Sequence, residues 1–224
     1  MRKASLTFFF FLTLFTTLSA TNVEVELKRG SHSADSIDFA LNKAQRIVDK
    51  LSLSDETQKT NVLHVIANRY LELYTIHAEY DARNAHIETL GLEVKAKEEE
   101  LERSYYQYNS ALYRSRFSYN AWLSFFLNEE QVENVKNEMT ENMFVLRYNA
   151  FLEMLPEMTD AERKRVHGWL IEAREFAMDF ISLRKMQQMF TKYRGRINNY
   201  LAACGHDLGK ASSEQIARQI RENI

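Results

Sequence analysis

One proline, six glycines and one cysteine in 224 residues set the first exclusions. Average usage of Gly and Pro together is ~12%, and a β-sandwich or barrel needs such residues at every chain reversal. Their shortage excludes a turn-rich β fold and predicts an all-α chain. Cys204 alone forms no internal disulfide and supplies no cysteine-rich zinc site. Excess positive charge is also missing: 29 Lys and Arg stand against 31 Asp and Glu, a net charge of −2. No basic field exists to hold a phosphate backbone, so nucleic acid is not an expected partner. Long apolar runs are absent but for one, Leu6–Leu18, preceded by Arg2 and Lys3 and followed by Ser19 and Ala20. That order is a secretory signal peptide, and the run falls short of the ~20 residues a membrane helix requires. No cysteine adjoins the junction for lipid attachment. Residues 1–20 therefore read as a signal peptide, and the mature chain as exported to the periplasm or beyond, without a membrane span after cleavage.

Residues 21–33 are polar, contain Gly30 and show no helical period, so they read as a linker. A helical domain over 34–211 follows, then a short amphipathic tail over 212–224 with Ile216, Ile220 and Ile224. Within the domain, Ile37, Ala40, Leu41, Ala44, Ile47, Val48 and Leu51 recur at helical steps and predict a helix ending near Leu51. Ser54 is placed to cap a second helix carrying Val62, Ile66, Leu73, Ile76 and Tyr80 to about Leu90. Gly91 marks the reversal into a third, running to about Phe126 through Tyr105, Tyr108, Leu112, Tyr119 and Trp122. Lys95 with Glu99, and Glu99 with Arg103, stand at i,i+4 and predict surface ion pairs. Asn128 with Gln131, and Thr159 with Glu162, have the spacing of capping boxes and start two further helices. Pro156 ends a helix over about 141–155, because it disfavours α conformation in the residue before it. The last large helices are predicted over about 160–180 and 183–203, with Gly205 as a left-handed C-cap. A single-domain bundle with long antiparallel helices results. Its predicted core includes Ile47, Val62, Ile66, Leu73, Leu112, Trp122, Val135, Trp169, Phe176, Ile197 and Leu201, with Cys204 as a small core residue.

Catalytic constellations are missing. His64, His77 and His86 lack the spacing of a helical zinc pair, and there is no HExxH, no GxSxG and no glycine-rich phosphate loop. These six-histidine and carboxylate patterns give no metal site, no cofactor and no catalytic residue.

Two stretches exceed a core pattern. In Trp169–Asp179, the acids Glu172, Glu175 and Asp179 share one face; in Lys192–Leu201, Lys192, Arg196 and Asn199 line one flank beside Tyr193 and Tyr200. Rings that pack on apolar sugar faces, next to groups that bind hydroxyls or a carboxylate, make Trp169, Arg174, Lys192, Tyr193, Arg196, Asn199 and Tyr200 candidate ligand contacts. The competing reading pairs these cations with Glu172, Glu175 and Asp179 as a packing device.

The run KYRGRINNYLAACGHDL (192–208), with WLIEAREFAMD (169–179) and LPEMT (155–159), resembles a family of small exported proteins from glycan-foraging Gram-negative bacteria. That family is catalogued as a domain of unknown function, is described as sugar-binding by inference, and is often encoded near polysaccharide-degrading enzymes. The resemblance covers roughly 35–211. It implies an all-helical, non-catalytic carbohydrate-binding or accessory factor in polysaccharide utilisation, with an oligo- or polysaccharide as partner. It carries over no catalytic residue. The chain departs at His206, where an aromatic is expected, and at Glu141-Asn142, where a glycine-containing stretch is expected. Two other readings stay open. One is a periplasmic chaperone-like or protein-interaction factor that uses the Tyr105–Phe126 aromatic stripe; the other is an enzyme acting on glycan fragments.

Overall fold

The computed structural model describes residues 23–222, so the signal-peptide reading of residues 1–20 lies outside the described residues. Among the described residues there are eight helices and no strand. They are α1 (Ala34–Val48), α2 (Glu56–Thr89), α3 (Val94–Phe126), α4 (Glu129–Met139), α5 (Met143–Met154), α6 (Asp160–Ala177), α7 (Leu183–Ala203) and α8 (Leu208–Glu222). No helix among them is long and apolar enough to cross a membrane.

Local sequence explains most boundaries. Both predicted capping boxes form, Asn128 with Gln131 and Thr159 with Glu162, so each start satisfies its own orphan amides. The α2 cap is Asp55 rather than Ser54: its carboxylate accepts from the Gln58 amide at 2.7 Å. Gly91, at φ +60°, turns α2 back onto α3, and Gly205, at φ +97°, ends α7 as expected. α1 closes at Val48 rather than Leu51, although Leu51 and Leu53 still reach the core. Glu141 and Asn142, at φ 53° and 55°, hold the left-handed conformation that glycine adopts without strain. The predicted Lys95–Glu99 and Glu99–Arg103 pairs give way to Arg103–Glu100 at 3.0 Å and Lys97–Glu88, the second tying the two sides of the Gly91 turn.

The long α2–α3 hairpin packs with α1 and α4 around one apolar cluster that includes Ile47, Val62, Ile66, Leu123 and Val135. The second cluster joins α5, α6, α7 and α8 through Phe151, Leu155, Val166, Leu170, Phe190, Ile197 and Leu201. A third, smaller one, with Leu73, Ile76, Tyr108 and Leu112, lies further along the hairpin. Residues 23–29 run extended beside α2, where Asn61 and Asn68 bond the backbone of Val23, Val25, Glu26 and Lys28.

Four core assignments are corrected. Trp122 and Phe176 are 42% and 38% exposed, and Trp169 is half-buried. Period places a residue on a face, while the neighbours decide how wide a strip of that face is covered. Cys204 caps α7 and is exposed, because the helix it would have continued ends one residue earlier.

Candidate functional site

The seven candidate contacts fall in three places. Arg174, on α6, turns toward α4 and α5 and is fully buried. It donates to Asn137 Oδ1 at 2.7 Å, pairs with Glu133 at 2.8 Å and Glu175 at 3.2 Å, and lies over the Phe144 ring. Lys136 adds a 3.1 Å pair to Glu175. This is a packing arrangement.

Trp169, Arg196 and Tyr200 meet on the outer surface of the α6–α7 pair. The Trp169 and Tyr200 rings stand edge to face at 5.2 Å. The Arg196 guanidinium sits 4.6 Å from the indole centroid and pairs with Glu172 at 3.4 Å. Arg165 also lies over that indole. Asn199 is exposed on the same helix.

Lys192 and Tyr193 face a different place, a cavity of about 510 Å³ between α3 and the α6–α7 pair. From α3 come Tyr105, Tyr108, Asn109, Leu112, Tyr113 and Arg116; from the other side come Phe176, Asp179, Phe180, Met189, Lys192 and Tyr193. Its floor is an ion-paired cluster. Asp179 is 3% exposed and accepts from Arg69 at 2.7 Å and from both nitrogens that Arg116 turns toward it. Arg69 also donates to Ser115, and the Arg116 guanidinium lies 4.9 Å from the Phe176 ring. Burial draws Arg69 below its ordinary pKa, opposed by the Asp179 charge.

α6 ends at Ala177, so Asp179 leaves the helical face it nominally shares with Glu172 and Glu175. Each of the three acids then finds separate partners, and the expected pairing with α7 cations is kept only by Glu172 with Arg196. The Asp179 carbonyl accepts from His77 Nε2 at 2.8 Å, which leaves Nδ1 to accept the Tyr108 hydroxyl at 3.1 Å. Burial, then the Asp179 charge, pushes the Tyr108 hydroxyl up to about 12, so it remains a neutral donor. Burial, with Glu172 nearby, raises Tyr193 likewise.

The rim carries exposed rings: Tyr105 at 51% and Tyr113 at 67%, with Phe176 beside them. Flat apolar faces thus surround a floor of charged and amide groups, an arrangement that grips a ligand having both apolar and polar faces. Spacing along single helices did not expose Arg116, Asn109 or Tyr113, since the cavity joins segments about sixty residues apart. The signals that touched it were Lys192 and Tyr193 on α7 and, through Asp179, the shared acidic face of α6.

A larger cavity, about 620 Å³, lies between residues 24–32, α2 and α3, with Trp122 and Tyr119 in its wall. Glu24, Glu26 and Glu72 outnumber Lys28 and Arg69 there, so this cavity has no positive surplus. Among the described residues no group of three or more His, Cys, Asp or Glu is gathered to hold a metal.

No curated protein matches the chain. A family model described as "Protein of unknown function (DUF3826)" matches residues 38–221, the whole helical body from α1 into α8. The chain belongs to the DUF3826 family.

Proposed function

We propose that this chain is an exported, non-catalytic carbohydrate-binding protein that assists polysaccharide utilisation, and that the sugar lies in the cleft between α3 and α6–α7. One observation carries the reading: open tyrosine rings, with Asn109 and Lys192 beside them, stand over a floor of Arg116 and Asp179. Rings stack on the apolar faces of a pyranose, and the floor donates to and accepts from its hydroxyls. The basic, apolar, small-residue order of residues 1–20 supports export. Of the sequence candidates, Lys192 and Tyr193 contact the ligand directly. Trp169, Arg196, Asn199 and Tyr200 form the neighbouring outer surface, which a longer oligosaccharide would reach over Glu172. Arg174 serves packing.

Titration calorimetry against a panel of oligosaccharides tests this. Stacking contributes ~0.5–1.5 kcal/mol per ring, so Tyr113→Ala and Tyr105→Ala should each weaken binding roughly 2- to 10-fold. Their melting temperatures should hold, because both rings are open. A wild-type protein that binds no member of the panel ends the reading.

A second reading, a protein-interaction factor, draws on Tyr106 and Phe117, which lie on the outer side of α3 and are 63% and 70% exposed. It is favoured if a Tyr106→Ser/Phe117→Ser variant keeps its fold and loses suppression of aggregation of a denatured outer-membrane protein.

A further inference from the structure

The cleft contains more positive than negative charge, although the chain as a whole is slightly acidic. Asp179 is the one carboxylate in its lining, and two guanidiniums already share it. Lys192 lines the α7 side, across the cleft from Arg116 on α3, and no ion pair engages it among the described residues. Three other cations of this region are matched by acids: Arg196 has Glu172, and Arg174 with Lys136 has Glu133 and Glu175. Arg116 keeps part of its side chain open to the cleft, at 18% exposure. Arg116 and Lys192 therefore flank a space in which an incoming anion meets two cations and no free carboxylate. Tyr108 and Tyr193, held neutral by burial, add no opposing charge.

Resting on the carbohydrate reading, we infer that the preferred ligand is an acidic saccharide, whose carboxylate or sulfate ester sits between Arg116 and Lys192 while its rings lie on Tyr105 and Tyr113. Guanidinium and ammonium groups bind both anions through charge-assisted hydrogen bonds, which are about twice as strong as neutral ones. A hydroxyl in the same place would leave the surplus charge unanswered.

The test is calorimetry on the full mature chain with four probes: a galacturonic-acid trisaccharide, a sulfated galactose trisaccharide, the neutral galactose trisaccharide, and sodium sulfate. The expected result is binding of at least one acidic trisaccharide ~10- to 100-fold tighter than the neutral one, weakening as sodium chloride rises. Which acidic probe binds tighter distinguishes carboxylate from sulfate ester. Lys192→Gln, on an exposed position, should remove most of that preference, costing the acidic probes far more affinity than the neutral one, without changing the melting temperature. Equal affinity for acidic and neutral sugars overturns the inference while the carbohydrate reading stands. Sulfate alone binding as tightly as the sulfated sugar overturns it as a saccharide site. Absence of binding by all three sugars overturns both.

Discussion

Two buried arginines, Arg69 and Arg174, are built alike and differ in two respects. Each spends one terminal nitrogen on a neutral oxygen, Ser115 or Asn137, and the other on carboxylate. Both lie over a ring, Tyr119 or Phe144, and both leave Nε without a partner. Around Arg174, two cations meet two carboxylates between α4, α5 and α6, and only Glu133 reaches well into solvent. Around Arg69, two guanidiniums meet one carboxylate, and the second guanidinium, Arg116, opens on a cavity. A balanced, closed cluster holds helices together. An unbalanced one at a cavity floor has charge left for a ligand.

The largest effect that would sharpen this contrast comes from Asp179→Ala. It leaves the buried Arg69 and the partly open Arg116 with no anion, and breaking a buried pair this way costs ~3–5 kcal/mol. For a chain of this size the melting temperature should fall on the order of 10 °C. A drop of only one or two degrees would show that water already solvates the cations of the floor, and the contrast would fail. Next comes Arg174→Met, which keeps the volume and removes the charge. Lys136 remains for Glu175, and Glu133 is half-exposed, so ~1–2 kcal/mol is expected by thermal unfolding, with saccharide affinity unchanged.

How much of this was legible follows from its range along the chain. Capping boxes, the Gly91 turn and the α7 boundaries are local, and the residues announce them. The core along single stripes was legible too, at Val62, Ile66, Val135 and Ile197. Trp122 and Phe176 were misplaced because each sits at the edge of its stripe, beside a cavity that another helix leaves unfilled. The cleft is a meeting of α3 with α6–α7, and no periodicity within one helix contains that. Lys192 and Tyr193 were found by their polar and aromatic character. Arg116 and Asn109 sit among many similar residues on α3 and carry no local mark.

His77 gives a pH-dependent way to strain the open cluster alone. Burial lowers its pKa below the ordinary 6.5, with Lys185 acting in the same sense, while its bond to the Asp179 carbonyl and the charges of Asp81 and Asp179 oppose. The folded state thus binds its proton less readily than the unfolded chain. This contribution is complete above about pH 6.5 and is lost as pH falls below it, since the unfolded state then takes up more protons. The melting temperature should decline from pH 7 to pH 5, and His77→Gln should flatten that slope. An unchanged slope in the variant would assign the decline to other groups.

The smallest expected effect tests the closed cluster. Glu133 is 49% exposed and is one of two carboxylates on Arg174, which keeps Glu175, Asn137 and the Phe144 ring when Glu133 is neutralised. Glu133→Gln retains an amide oxygen able to accept from the same nitrogen. Solvent screens what charge attraction is lost, and pairs with an exposed partner are worth ~0.2–1 kcal/mol. The variant should melt within about 1–3 °C of the wild type and bind saccharide with unchanged affinity. If it instead unfolds as readily as Asp179→Ala, Arg174 depends on a single carboxylate just as Arg69 does. The two arginines would then differ only in where they sit, and the charge surplus of the cleft would lose its structural control.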